Sequence, residues 1–415
     1  MIQMLGVPLG SDEFVADYVS RELLPTTRSV AQKLMDFEDS QAALYLLHVS
    51  YGIIRANHFM RTTPLSQWAK HAEEFDVIVR NTTESILKQP LPPDAYDQAS
   101  VSTRFGGLGI RIIVDHGPVA FIASHNGARL QCKENWLPID GVPDSCVAPN
   151  QRAASALVDR VTLDRLIEKG SIRDKQRLRR LDCEHANSWI TALPSATDGK
   201  DTILPPKIFI TAVSRLLGLP VYSKPFPCPL CQQTMDILGD HALCCKKTQD
   251  LITRHNRLRN WLFKLADVGM LNPAMEKLGL LGPSDESKRR PGDVSLPLWR
   301  YGKGLAIDVA VVCPVASSHV HDENPCEAHA LRKHARYDRG FVGSHYDFAA
   351  MVFETSGAVN LEGMNIMRQI IRCASKRECV GNSSFAGRAW ARVGCCVQHS
   401  VAQSILNRDV LEVVD

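Results

Sequence analysis

The sequence predicts a multidomain chain of α and α/β parts, with a small metal-bound module between them. Three observations carry this. A chain of 415 residues exceeds one small domain and fits two to four modules. Apolar residues recur at helical spacing over residues 13–130. A continuous apolar run, Leu305 to Val312, reads as a buried strand. The expected order is a short strand remnant at 1–12, a helical bundle at 13–130 and a helical linker at 131–225. A Cys/His knuckle at 226–250, a mixed α/β core at 251–360 and covering helices at 361–415 follow.

At the start, Leu5-Gly6-Val7-Pro8-Leu9-Gly10 reads as a turn between strands. Such an opening suggests a chain that begins inside a larger domain. Phe14, Val15, Tyr18, Val19 and Leu23 then mark a helix face, and Ala42–Ile54 and Phe75–Leu87 are further amphipathic stretches. Pro90, Pro92 and Pro93 break the pattern. The glycine-rich loop Arg104–Arg111 lacks both the Gly-Lys-Ser/Thr ending and the GxGxxG spacing, so it is not a phosphate-binding loop. A helix is predicted over Val119–Arg129. Residues 131–150 read as a linker, 151–194 as helices with a basic face, 195–201 as a loop and Pro205–Leu216 as a helix closed by Gly218.

The most specific motif is Cys228-Pro229-Leu230-Cys231 with His241 and Cys245. Cys-x-x-Cys supplies two corners of a zinc tetrahedron, and a His and a Cys four apart at a helix start can close it. Cys244 competes for the fourth corner; the facing of residues four apart on a helix prefers Cys245. With all corners filled by protein, such a zinc is structural and not catalytic.

A long amphipathic helix is predicted over 251–278, with Leu251, His255, Leu258, Trp261, Leu262 and Leu265 on its apolar stripe and a basic outer face. Asp293 follows a Pro-Gly turn signal. Asp308 lies inside the apolar run and needs a cationic partner, because an unpaired buried carboxylate costs several kcal/mol, roughly. Two strands joined by a turn at Trp299–Gly304 can bring both acids to one point, where carboxylate oxygens suit Mg²⁺. Lys333 and Tyr337, four apart on a predicted helix at 329–340, share a face. Two carboxylates and a lysine are the parts needed for phosphodiester hydrolysis. Glu276 either reaches that site or is a surface carboxylate. His319 and His321 lack the spacing of a second metal site. Phe348–Glu354 reads as another buried strand, and 361–375 and 384–407 as helices that cover the sheet.

Composition narrows the class. No apolar run approaches the roughly 18 residues of a membrane span, and Met1–Leu5 has no basic stretch of a signal peptide. Thirteen cysteines with scattered spacing argue against a secreted disulfide framework and for a reducing intracellular compartment, with some cysteines as metal ligands. The location expected is nuclear. Net charge is only +3, but basic clusters at Lys169–Arg180, Lys246–Lys264, Lys288–Arg290 and Arg332–Arg339 suit a phosphate backbone.

Taken together, these pieces resemble the C-terminal portion of the polyprotein of non-LTR retrotransposons that carry a restriction-like endonuclease. Leu5–Gly10 resembles the last motif of the reverse-transcriptase palm, and the helices after it resemble the thumb. His185–Pro194 is similar to the family's His-Ile-Asn-Ala-Leu-Pro linker motif, with Trp189 and Thr191 departing from it. Cys228, Cys231, His241 and Cys245 match the CCHC zinc knuckle. Arg290-Pro291-x-Asp293 and Asp308 match the endonuclease carboxylates. Lys333-x-x-x-Tyr337 matches the displaced lysine of this PD-(D/E)xK branch, in which Ala310 stands where the usual lysine would be. Gly292 is inserted relative to the family pattern. No aromatic-x-Asp-Asp occurs, so polymerase activity is not expected from this chain alone.

The resemblance implies a restriction-endonuclease-like core, a structural Zn²⁺ and a catalytic Mg²⁺. It implies a DNA target, element RNA as a further partner and no membrane. In this reading Asp293 and Asp308 hold the magnesium, Lys333 supports the attacking water, and Tyr337 positions Lys333 or the phosphate. The expected function is a DNA-nicking endonuclease portion of a retrotransposon protein. The alternatives are a nucleic-acid-binding remnant without catalysis and a non-functional element fragment.

Overall fold

Two left-handed residues in succession, Leu5 (φ 51°) and Gly6 (φ 79°), make the tight turn between β1 (Ile2–Met4) and β2 (Val7–Leu9). A two-residue loop with both φ positive matches the twist of an antiparallel pair. This hairpin opens the first of two compact units, residues 1–169 and 170–415. The computed structural model describes residues 1–132, 150–194, 200–282, 290–300 and 302–408. The linker expected at 131–150 and the loop at 195–201 fall largely outside these.

The first unit is helical. Ser11 caps α1 (Asp12–Met35) by accepting from the Phe14 amide, and Val15, Val19, Leu23, Leu24 and Leu34 form its buried stripe. The single helix expected over Ala42–Ile54 is broken. Helix α2 (Ser40–Leu46) widens into a π-type turn at Leu47–Tyr51 and ends at Gly52, whose amide reaches back to the Leu47 carbonyl at 2.7 Å. Then come α3 (Asn57–Thr62), α4 (Ala69–Leu87), α5 (Pro93–Ser100), α6 (Ile113–Cys132) and α7 (Gln151–Lys169). Pro93 starts α5, as a residue without an amide donor can. Helix α4 packs between α1 and α6, with Phe75 and Val79 buried. It also supplies a cap: buried Asp76 accepts the Ile113 and Val114 amides at 2.9 and 3.2 Å, two donors that the start of α6 leaves without a helical partner.

The boundary between units falls at Lys169, inside the range read as linker. From Gly170 on, the chain belongs to the second unit, and several of the described residues up to 225 are built into its core. Arg180, on α8 (Ile172–Leu181), forms a buried two-point pair with Glu354 at 3.0 and 2.9 Å. In the following turns, His185 stacks on Trp390 at 4.3 Å between ring centres, and Trp189 is fully buried against Phe209 of α9 (Pro206–Leu216). Trp189, a departure from the resembled motif, is therefore a core residue.

Beyond the knuckle, α11 (Asp250–Val268), which follows the short α10 (Asp240–Cys244), ends nearly three turns before the expected Leu278. Gly269 stops it, and left-handed Met270 and Asn272 and then Pro273 forbid its continuation. Strands β3 (Phe226–Pro227) and β4 (Thr234–Met235) belong to the knuckle. The main sheet has the order β5 (Ala274–Met275), β6 (Val294–Arg300), β7 (Lys303–Val312) and β8 (Tyr346–Glu354). Its first three strands are antiparallel, and β8 runs parallel to β7 after a crossover through α12 (Pro325–Tyr337).

Both faces of the sheet are covered, which is why β7 is apolar throughout. Leu305, Ile307 and Val309 join a core with α11, α13 (Leu361–Arg377) and α14 (Asn382–Leu406). Ala306, Ala310 and Val312 join a smaller core with Cys326 and Ala330 of α12. Asp308 shares the register of this second set. The fold is thus mostly helical with small sheets, an α unit and an α/β unit. Among the described residues, no helix is long and apolar enough to cross a membrane.

Candidate active site and metal centre

The cysteine cluster is the better-defined site. The β3–β4 turn, with Gln232 left-handed, presents Cys228 and Cys231; His241 lies in the first turn of α10 and Cys245 directly follows that helix. The Asp236 carboxylate fixes this second half by accepting the amides of Leu238, Asp240 and His241 at 2.8–3.1 Å. The ligand atoms of Cys228, Cys231, His241 and Cys245 all lie within 4.8 Å of one another. Cys228 and Cys245 sulfurs are 4.0 Å apart, and Cys231 Sγ is 3.1 Å from His241 Nε2. A tetrahedron with Zn–S bonds of about 2.3 Å has edges of about 3.8 Å, so three thiols and an imidazole so placed can hold a metal such as zinc.

Burial pushes the Cys228 thiol up, but the amides of Leu230 and Cys231 and the His241 ring outweigh it and bring it down to about 6. Cys244 does not compete: its thiol turns to Cys313, near Arg215. His319 forms no second site; it pairs with Asp322 at 2.9 Å, and the Cys₃His group is the only cluster of three or more candidate ligands among the described residues.

The acid site is organised by register. Val294 pairs with Ile307, and the Asp293 amide just before β6 donates to the Ile307 carbonyl at 2.8 Å, which brings Asp293 beside the Asp308 segment of β7. Met275 pairs with Val294, so Glu276 comes opposite Asp293, to whose carbonyl its amide donates at 3.1 Å. Glu276 directly follows β5, Asp293 directly precedes β6 and Asp308 lies within β7, so the three carboxylates come from neighbouring strand segments. The inserted Gly292 is accommodated by close approach: a Cβ there would meet the Ala306 Cβ at 3.0 Å, so only glycine lets the segment lie this tightly on β7.

Each acid has its own partners. Asp308 is buried, and the Lys333 ammonium of α12 lies 2.8 Å from its Oδ2, as the sequence requires of a carboxylate inside an apolar run. Lys333 is thus both the ion-pair and the hydrogen-bond partner of Asp308. Burial raises the Asp308 carboxyl above its ordinary value, against the pull of Lys333; the nearby Asp293 adds to the rise. Asp293 Oδ2 accepts the Val309 amide at 2.6 Å and contacts His255 Nε2 at 3.1 Å. That bond raises the His255 imidazole above its usual range, more than burial lowers it.

Glu276 is not at a helix end. It sits on the sheet edge in a left-handed conformation (φ 46°), half exposed, held by Arg259 and 3.7 Å from Arg290. Tyr337 follows Lys333 by one turn; its ring packs on Phe348 at 5.3 Å and carries Arg336 against its face.

No protein-family model and no curated protein matches this chain. The chemistry of the site therefore stands on its own geometry.

His255 and Arg259 are the residues that sequence reasoning missed as site members. His255 was legible only as part of the α11 stripe. The available signal was that His255 and Arg259 stand four apart on a helix packed against the acid-bearing strands.

Proposed function

We propose that the second unit is a Mg²⁺-dependent endonuclease that nicks DNA, of the kind that serves a retroelement reverse transcriptase. The observation that carries this reading is the nearness of two acids from adjacent strand segments, Asp293 bonded to the Val309 amide next to Asp308, with Lys333 at 2.8 Å from Asp308. Magnesium commonly takes one or two carboxylates, with water and substrate phosphate completing its shell. Asp293 and Asp308, two neighbouring carboxylates, meet that need. When bound, the ion would activate water and neutralise charge on the scissile phosphate.

The chain's own groups account for the rest. Lys333 balances Asp308 and is placed to stabilise a hydroxide or the charge of the transition state beside it. The Val309 amide and His255 hold the Asp293 carboxylate in place. Arg259 and Arg290 bind Glu276 at the sheet edge and put positive charge where a phosphate would arrive. Tyr337, through its packing on Phe348, would keep the Lys333 turn of α12 in position. The zinc knuckle is structural. The partners are a DNA target and element RNA, in the nucleus.

A second reading, nucleic-acid binding without catalysis, is favoured by one observation: both acids already have cationic partners, His255 and Lys333. Nicking of supercoiled plasmid with Mg²⁺, beside an Asp308→Ala control, separates the two. Nicking that disappears in the control supports the enzyme. Equal inertness of both proteins, with zinc bound and the fold intact, leaves the binding reading.

A further inference from the structure

Helix α11 has three differently used faces. Leu258, Leu262 and Leu265 enter the core. His255 and Arg259 face the acids. A third stripe, Thr253, Arg257, Asn260 and Lys264, lines a trough between α11 and α14. Two hollows make up this trough; they share Trp261, Lys264 and Asp201. The opposite wall carries Arg388 and Arg392, four apart on α14. Trp261 and Phe385 form its floor, each partly buried against the core. Four cations thus face two acids, Asp201 and Glu378. Arg257, Lys264 and Arg388 are exposed.

The trough touches the acid site through two asparagines. Asn256 lines it and bonds His255 Nδ1 at 3.3 Å, while His255 Nε2 reaches Asp293. Asn260 lines it and accepts from Arg259 at 3.1 and 3.2 Å, while Arg259 holds Glu276. A ligand in the trough therefore contacts the same residues that orient the site's basic groups. From Thr253 to Lys264, α11 rises about 16 Å at about 1.5 Å per residue. That length matches four to five nucleotides of one strand at about 3.4 Å each. Cations lining both walls suit a sugar-phosphate backbone contacted without sequence preference.

We infer that the trough between α11 and α14 holds the backbone of the DNA strand that runs to the Asp293–Asp308 site. This rests on the endonuclease reading for the strand's destination, but binding itself is tested separately.

The test is a Lys264→Gln/Arg388→Gln double variant of the full chain. Both side chains are exposed and lie outside the acid site. Binding of a short labelled DNA duplex is measured without added Mg²⁺ across a salt series, with zinc content and circular dichroism as fold controls. Each lost phosphate contact lowers the salt slope by about 0.9, so the double variant should bind at least about tenfold more weakly at low salt, with a slope shallower by about 2. Unchanged affinity and slope in a folded, zinc-loaded variant overturn the inference. An RNA of the same sequence that outcompetes DNA through these two residues also overturns it. Wild-type protein that shows the groove-dependent slope but never nicks keeps the trough and removes the nuclease reading. Nicking that persists with unchanged binding in the double variant removes the trough and keeps the nuclease.

Discussion

Each unit buries an aspartate on a packed face, and the two are used differently. Asp76 of the first unit gives both oxygens to backbone amides at the start of α6. Asp308 of the second unit has the Lys333 ammonium 2.8 Å from its Oδ2. Burial raises both carboxyls, that of Asp76 to about 7. Asp76 completes a helix end. Asp308 is held in an apolar strand near a second acid, Asp293, with a cation from a neighbouring helix as its partner. The contrast is between a carboxylate that caps a helix and one that carries an ion pair beside a second acid.

The largest test of that contrast is a pair of substitutions. Asp308→Ala should lower Mg²⁺-dependent nicking by at least about 10²–10³-fold, the usual effect of losing one charge-stabilising group. Asp76→Ala should leave the nicking rate per folded molecule unchanged. Equal loss in both would erase the distinction.

Next in size is the metal centre. Cys245→Ser should release the zinc and unfold the knuckle, seen as lost metal content and new protease sites, because a structural zinc contributes on the order of 10 kcal/mol to its module. Cys244→Ser should keep full zinc stoichiometry, since that thiol faces Cys313.

A smaller effect is expected for stability of the first unit. Asp76→Ala leaves two buried amides of α6 without acceptors and should cost about 1–3 kcal/mol by denaturant unfolding. The helix content of α6 should fray from its start.

The last effects are those of pH, and they fall in different windows for the two units. Asp76 is raised from 3.8 to about 7, so the folded state holds its proton longer than the unfolded state does. The stability that the protonated form lends is full below pH 3.8 and is lost as pH rises to about 7. The His255 imidazole is raised above 6.5. Its contribution is full below pH 6.5 and is lost as pH rises through its higher folded value. Melting curves of wild type against His255→Gln should therefore differ at pH 6 and converge at alkaline pH. A difference that grows with pH would show that Asp293 does not hold the charged imidazole.

Much of the second unit was legible in the sequence for reasons of local chemistry. Leu305–Val312 has no polar break except Asp308, and only a strand covered on both faces tolerates that. The partner that this acid demanded is Lys333. Cys-x-x-Cys with a His and a Cys four apart has few geometries other than a closed knuckle, and the preference for Cys245 over Cys244 followed from helical facing. The extent of α11 was less legible, because Leu271 and Leu278 continue an apolar rhythm. Asn272 and Pro273 end it through backbone conformation instead. In the first unit, the apolar pattern over Ala42–Ile54 hid the break at Gly52 for the same reason.

By itself, then, the sequence determined most element types, the grouping of Cys228, Cys231, His241 and Cys245 and the need for a cation beside Asp308. Those follow from periodicity, chelate spacing and the cost of burying charge, all of which are local. Only the tertiary structure decided that Glu276, Asp293 and Asp308 come from neighbouring strand segments and that His255 and Arg259 reach two of them. It also decided that Arg180 and Trp189 are built into the core of the second unit. Strand register and helix docking set these relations, and both depend on packing between segments far apart in the chain.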